Sequence, residues 1–145
     1  MQKKKIKNLI TINLKKKDLI KKILKITNNN LCDYIFTANN SIRSQIDAIK
    51  VVAKKGVINF FGGLPHNSKD TLKIDTNIIH YKEAIITGSH GSTPTQHKKA
   101  IELISKKKIN VKPLITHIYS LKNIKLGYKK AISGNAMKVV IKPYV

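Results

Sequence analysis

Short apolar runs alternate with stretches of helical periodicity along this chain, a pattern that argues for α/β architecture. Asn8 to Asn13 (NLITIN) reads as a short strand. Leu14 to Thr27 follows as a helix carrying Leu19, Ile20, Ile23 and Leu24 on one face, with Asn28, Asn29 and Asn30 stopping it. Cys32 to Thr37 (CDYIFT) is the second strand. Ser41 is placed to cap a helix that turns Ile42, Ile46, Ile49 and Ala53 inward, and Gly56 ends it. Val57 to Phe61 (VINFF) is nearly continuous in its apolar character, as expected of a strand covered on both faces.

Gly62-Gly63-Leu64-Pro65 breaks that strand, and a polar connector from His66 to Asp75 leads through Tyr81 to the strand Ala84 to Thr87. Thr93-Pro94 is a helix start, a hydroxyl followed by proline in the first turn, for a helix that runs to about Lys107 and buries Ala100, Ile101 and Ile104. After Pro113-Leu114-Ile115-Thr116 come a helix from Ser120 to Ser133, closed by Gly134, and a strand from Lys138 to Ile141. No internal repeat, low-complexity tract or clear linker interrupts the order.

At 145 residues and 41% hydrophobic content, the chain has the material for one folded core. No apolar run approaches bilayer-spanning length, and the Lys-rich start is not followed by a signal-like apolar stretch, so a cytoplasmic protein is expected. The single Cys32 rules out an internal disulfide framework and a thiolate metal cluster. The formal charge of +22 points first to nucleic acid. Of the 29 basic residues, however, only Arg43 is arginine, the residue that makes bidentate contacts to phosphate and guanine. Lys, Ile and Asn share AT-rich codons while most Arg codons are GC-rich, so the base composition of the gene accounts for the lysine excess. The charge argues weakly for a nucleic-acid partner, and a basic nucleic-acid-binding module or a non-catalytic nucleotide-binding module is kept as the alternative function.

Gly88-Ser89-His90-Gly91 imitates a nucleophile elbow only loosely, because the serine is not centred between the glycines. His80 with Glu83, together with His90 and His97, raises a metal site, but their spacing crosses a loop, a strand and a helix start and fits no zinc signature. Surface or packing histidines are the better reading. Lys15-Lys16-Lys17 and Lys106-Lys107-Lys108 read as solvated charge at helix ends.

Several words in this order resemble the zinc-dependent medium-chain alcohol and polyol dehydrogenases, the sorbitol and threonine dehydrogenase branch above all. They are Phe60-Phe61-Gly62-Gly63-Leu64-Pro65, Ile79-His80-Tyr81-Lys82-Glu83, Ile86-Thr87-Gly88-Ser89, Val111 to His117 and Ser133 to Val140. The resemblance spans nearly the whole chain and implies a carboxy-terminal part only. The implied fold is α/β, a partial Rossmann-like doubly wound parallel sheet, the second half of a nucleotide-binding domain of strand order 3-2-1-4-5-6, with a C-terminal helix-strand tail. Asn8 to Asn13 would be strand 3, Cys32 to Thr37 strand 4, Val57 to Phe61 strand 5 and Ala84 to Thr87 strand 6. Residues 1–112 would form the partial nucleotide-binding domain, and 113–145 would return to a catalytic domain.

By the same resemblance the cofactor is NAD or NADP. Thr37, Ala38 and Asn39 would lie beside the ribose, Phe61, Gly62, Gly63, Thr87, Gly88 and Ser89 on the nicotinamide side, and Lys138 would reach the pyrophosphate. Asn39 stands where the family often has Gly, so its side chain is expected to crowd the ribose. Without the resemblance, Gly62-Gly63 is simply a strand terminator. The family's zinc is implied too, but its Cys, His and Glu ligands, the G-x-G-x-x-G turn and the acidic residue that holds the ribose have no counterpart in this sequence. The expectation is a truncated or split dehydrogenase with no catalytic or metal-ligating residues of its own. Its partners would be a separately encoded N-terminal half and a second copy meeting it near strand 6. With strands 1 and 2 missing, Asn8 to Asn13 is expected to slide into the vacated place beside Cys32 to Thr37.

Overall fold

A computed structural model describes residues 9–14, 18–67, 69 and 71–144. They divide into two compact units, Met1–Gly91 and Ser92–Val145.

The first unit is built on three parallel strands, β1 (Cys32–Phe36), β2 (Val52–Phe60) and β3 (Ile85–Gly88), in the order β1-β2-β3. Strands 4, 5 and 6 of the expected sheet would lie in this order. Helix α1 (Leu19–Ile26) precedes β1, α2 (Ile42–Val51) links β1 to β2, and α3 (Thr76–Lys82) links β2 to β3. The strand expected over Asn8 to Asn13 does not form over residues 9–13, and among the described residues β1 pairs only with β2; Asn8 lies outside the described residues. Among the described residues the outer edge of β1 therefore carries no strand. Helix α1 likewise starts later than its apolar periodicity implies, because Asp18 supplies the cap: its Oδ1 accepts from the Ile20 and Lys21 amides at 2.9 and 3.3 Å.

Register locates the core. Ile35, Ile58 and Ile86 stand side by side across the three strands. Ile58, fully buried, packs with Ala48 and Ile49 of α2 and with Val52. Ile78 of α3 and Leu72 and Ile74 of the connector close over the same face. The alternate positions, Tyr34, Val57 and Ile85, then Phe36, Asn59 and Thr87, form the opposite face. That face is open, with Tyr34 73%, Phe36 70% and Ile85 57% exposed.

Two details depart from the sequence expectation. Helix α2 ends at Val51, before Gly56, and β2 begins at once. Pairing then jumps from Cys32 opposite Val52 to Tyr34 opposite Val57, so residues 53–56 bulge out, with Lys55 left-handed at φ 59°. Gly56 serves this bulge, where a Cβ would come within 3.0 Å of the Cys32 and Ala53 carbonyl oxygens. Helix α3 follows the polar connector, in the stretch through Tyr81 to which the sequence reading gave no element; Asp75 caps it by accepting from the Asn77 amide at 3.0 Å. Lys82 at its end donates to the Val52 carbonyl at 2.7 Å and ties α3 to the start of β2.

The second unit holds α4 (Pro94–Ser105), a parallel pair β4 (His117–Ser120) and β5 (Val139–Lys142), and α5 (Ile124–Ile132) between them. Thr93 and Gln96 close a reciprocal capping box at the start of α4, as the Thr-Pro start implies. Gly127 is buried where α5 crosses the pair, and a Cβ there would meet Tyr119 and Ile141. Among the described residues no helix is long and apolar enough to cross a membrane.

Candidate functional site

Because the three strands are parallel and in register, their carboxyl ends reach one edge together: Phe36, Asn59 and Thr87 are neighbours in one row. The chain leaves each strand there, and ligands of open α/β sheets sit at this edge. Thr37 follows β1. Its amide donates to the Asn59 carbonyl at 3.1 Å and its carbonyl accepts from the Gly62 amide at 2.7 Å, so the exits from β1 and β2 are bonded to each other. Ala38 and Asn39 are exposed beyond it. The Asn39 side chain is turned back on its own loop, Oδ1 accepting from the Ser41 amide at 3.0 Å. Ser41 itself makes no side-chain cap bond to α2, so the asparagine, not the serine, makes the polar turn into that helix.

Gly62 is required by the protein's own backbone. A Cβ there would lie 2.2 Å from the Asn39 carbonyl oxygen and 2.7 Å from the Asn39 nitrogen and carbonyl carbon. Gly63 differs: nothing lies within 4 Å of where its Cβ would be. Phe61 beside them is exposed, its amide donating to the Asn59 carbonyl. At the end of β3, Thr87, Gly88 and Ser89 are exposed, and the Ser89 amide donates to the Phe60 carbonyl at 3.3 Å. Nine of the ten expected site residues therefore sit at the ends of these strands. Lys138 belongs to the second unit, where its carbonyl accepts from the amide and hydroxyl of Thr116 and from the His117 amide.

The polar chemistry of this edge is incompletely satisfied. Among the described residues, the buried side-chain oxygens or nitrogens with no hydrogen-bond partner are Thr37 Oγ1 and Asn59 Oδ1, and both belong to it. A buried unpaired polar atom costs roughly 1–3 kcal/mol, so two at one place are an expense that packing alone does not explain. Asn59 was not singled out from the sequence, although one polar residue inside the apolar run VINFF is the signal that marks it.

Beside β1 runs a groove of about 310 Å³, lined by Leu19 and Ile23 of α1, Tyr34, Phe36 and Thr37 of the strand edge, and Asp47 of α2. Asp47 is nearly buried and bonded to Arg43 Nε at 3.0 Å. Cys32 also lines the groove, and burial first, then the neighbouring Asp33 charge, push its thiol pKa above the ordinary value. A thiol whose folded pKa is raised contributes stability below its unfolded pKa and loses that contribution as pH climbs through the folded value. We expect Cys32 to alkylate more slowly at pH 8 than the same thiol in the urea-unfolded chain, and Asp33→Asn to speed it in the folded chain. Equal rates folded and unfolded would contradict the burial.

A metal does not fit the donors present. Among the described residues no three His, Cys, Asp or Glu side chains come together to hold one. Three histidines are engaged separately: His97 Nε2 meets Ser92 Oγ at 2.8 Å, His80 stacks edge-on against Tyr81, and His117 Nδ1 meets Thr116 Oγ1. Ser89 Oγ accepts from Asn59 Nδ2 at 2.7 Å and is not bonded to His90.

Comparison with known proteins agrees with this architecture. Residues 5–106 match the family described as zinc-binding dehydrogenase. The sorbitol dehydrogenase of Halalkalibacterium halodurans is 25% identical over 126 residues, 87% of this chain and 36% of that protein. The D-arabitol-phosphate dehydrogenase of Enterococcus avium is 27% identical over 132 residues, 91% of this chain and 37% of that protein. Among solved structures, an oxidoreductase/dehydrogenase of unknown specificity from Escherichia coli superposes with a TM-score of 0.78 at 26% identity, covering 90% of this chain and 36% of that one. The chain thus spans little more than a third of the relatives it matches. Both the parallel strand order and the matched sequence lead to one assignment: this chain belongs to the zinc-binding dehydrogenase family.

Proposed function

We propose that this chain supplies the second half of the dinucleotide site of an NAD(P)-linked alcohol or polyol dehydrogenase. The observation that carries the reading is the edge where β1, β2 and β3 end together, which gathers open space at Gly63 and both unpartnered buried oxygens. Thr37, Ala38 and Asn39 would face the adenosine ribose, and Phe61, Gly62, Gly63, Thr87, Gly88 and Ser89 the nicotinamide. Lys138 is assigned to the pyrophosphate by family resemblance alone. Bound there, the nicotinamide would supply hydride transfer; this chain's residues would hold and orient it.

The zinc ligands and the glycine-rich phosphate turn would come from an amino-terminal half, docked against the free edge of β1 and its groove, with residues 113–145 returning to that half. Two copies of the chain would meet along β3. With half a site, the 145-residue chain should bind NADH or NADPH saturably with a Kd of about 1 mM, a binding free energy near −4 kcal/mol. Fluorescence titration checks this, and absence of saturable binding for both nucleotides at several times that concentration sinks it. The +22 charge favours a second reading, a nucleic-acid-binding module. Duplex DNA titrated in the same assay decides it: tight binding at physiological salt with a steep salt slope would prefer DNA.

A further inference from the structure

We propose that Asn59 is a positioning residue that fixes the cofactor-facing end of β3 by holding Ser89; the inference rests on the cofactor reading above. Asn59 Nδ2 lies 2.7 Å from Ser89 Oγ, a bond joining two strand ends thirty residues apart in sequence. Geometry explains the reach. Asn59 stands opposite Thr87, and Ser89 is two residues further along, so an extended chain brings Ser89 to the same face within diagonal reach. The only main-chain tie holding residue 89 to β2 is the Ser89 amide to the Phe60 carbonyl, long at 3.3 Å. Thr87 and Gly88 are already paired in the ladder, and the side-chain bond, the shorter of the two ties at residue 89, fixes Ser89 where the ladder ends.

Asn59 is a poor choice for stability. It stands on the open face of the central strand, yet one end of its amide is buried with no partner. Turning the amide over only exchanges which end is satisfied. A leucine of similar size would fill the position with no polar atom to satisfy. A residue that breaks the local rule at a candidate site, while making one well-formed bond to a loop of that site, is best explained by that bond.

The test uses the 145-residue chain. Asn59→Leu should melt no lower than the wild type, while amide exchange at Gly88 and Ser89 speeds by about tenfold, a local opening with global stability kept. NADH affinity should fall by about fivefold. Ser89→Ala should produce the same two changes, the double variant should add nothing to either single one, and Ser89→Thr, which keeps a hydroxyl, should restore both readouts. Unchanged exchange at Gly88 and Ser89 in Asn59→Leu overturns the positioning role. Faster exchange with unchanged NADH affinity overturns its link to the cofactor. Failure of the wild type to bind NADH overturns the cofactor reading itself, and the exchange data still decide whether Asn59 holds Ser89.

Discussion

Gly62→Ala destabilises the first unit by about 3 kcal/mol, whereas Gly63→Ala, one residue on, changes stability by less than about 1 kcal/mol. The difference comes from what each added methyl meets. At Gly62 it runs into three main-chain atoms of Asn39, the nearest at 2.2 Å, and a backbone cannot rotate away as a side-chain tip can. Relief requires the loop after β1 to move, which pulls on the Gly62 amide bond to the Thr37 carbonyl and on the Asn39 bond to the Ser41 amide that shapes the entry to α2. At Gly63 the methyl enters open space. Urea midpoints of the two variants measure the contrast, and equal midpoints would mean the two loops do not touch. Ligand binding separates the pair in the other direction. If the space over Gly63 receives the dinucleotide, Gly63→Ala keeps its midpoint and loses NADH affinity.

The contrast also shows how far sequence reasoning reached. The doublet Gly62-Gly63 was visible as a strand-breaking motif, but sequence cannot say which glycine serves the chain and which faces a ligand, because that depends on a contact with residue 39. Strands β1, β2 and β3 were legible because their apolar runs are bounded by asparagines and glycines. The bulge at residues 53–56 was not: Ala53 continues the inward stripe of α2, so periodicity reads through the point where Val52 turns into strand. Helix α3 has seven residues, too few for the periodicity of Ile78 and Ile79 to outweigh the polar stretch before it, although Asp75 stood in the cap position. Strand β4 was hidden between Pro113 and a helix read as starting at Ser120; Ser120 instead ends β4, and a 3-10 turn over Leu121–Asn123 leads into α5. The expected strand over residues 9–13 failed for a different reason. Its apolar pattern is real, but pairing is a property of two segments, and the pattern of one cannot report whether the other receives it.

An open sheet face has an energetic consequence. A strand buried on both sides reads as continuous apolar sequence, and VINFF reads that way. Yet among the described residues of the first unit only the face of Ile35, Ile58 and Ile86 is covered, and Tyr34, Phe36 and Ile85 leave the other to solvent. The sequence is thus written for more cover than these residues supply. Under the proposed function, an amino-terminal half docking on the β1 edge would bring that cover, and any ligand or partner that binds only the folded state stabilises it by mass action.

From this follows a large effect at the centre of the sheet: Ile58→Ala strips the first unit of most of its stability at 25 °C. Ile58 is fully buried between Ile35 and Ile86 on the middle strand and packs against Ala48, Ile49 and Val52, so no neighbour can collapse into the space without moving a strand or α2. Such a truncation costs roughly 2–5 kcal/mol. Single domains are stable by roughly 5–15 kcal/mol, and a sheet covered on one face belongs at the bottom of that range, so the loss consumes most of what there is. Ile58→Val, removing one methyl group, should cost only about 1 kcal/mol and leave a cooperative transition at a lower midpoint. Far-ultraviolet circular dichroism with urea titration distinguishes the cases. A cooperative Ile58→Ala transition with a midpoint near wild type would show that the first unit draws its stability from elsewhere than the Ile35–Ile58–Ile86 row. A transition recovered by saturating NADH would show in addition that the ligand binds the folded sheet and not the unfolded chain.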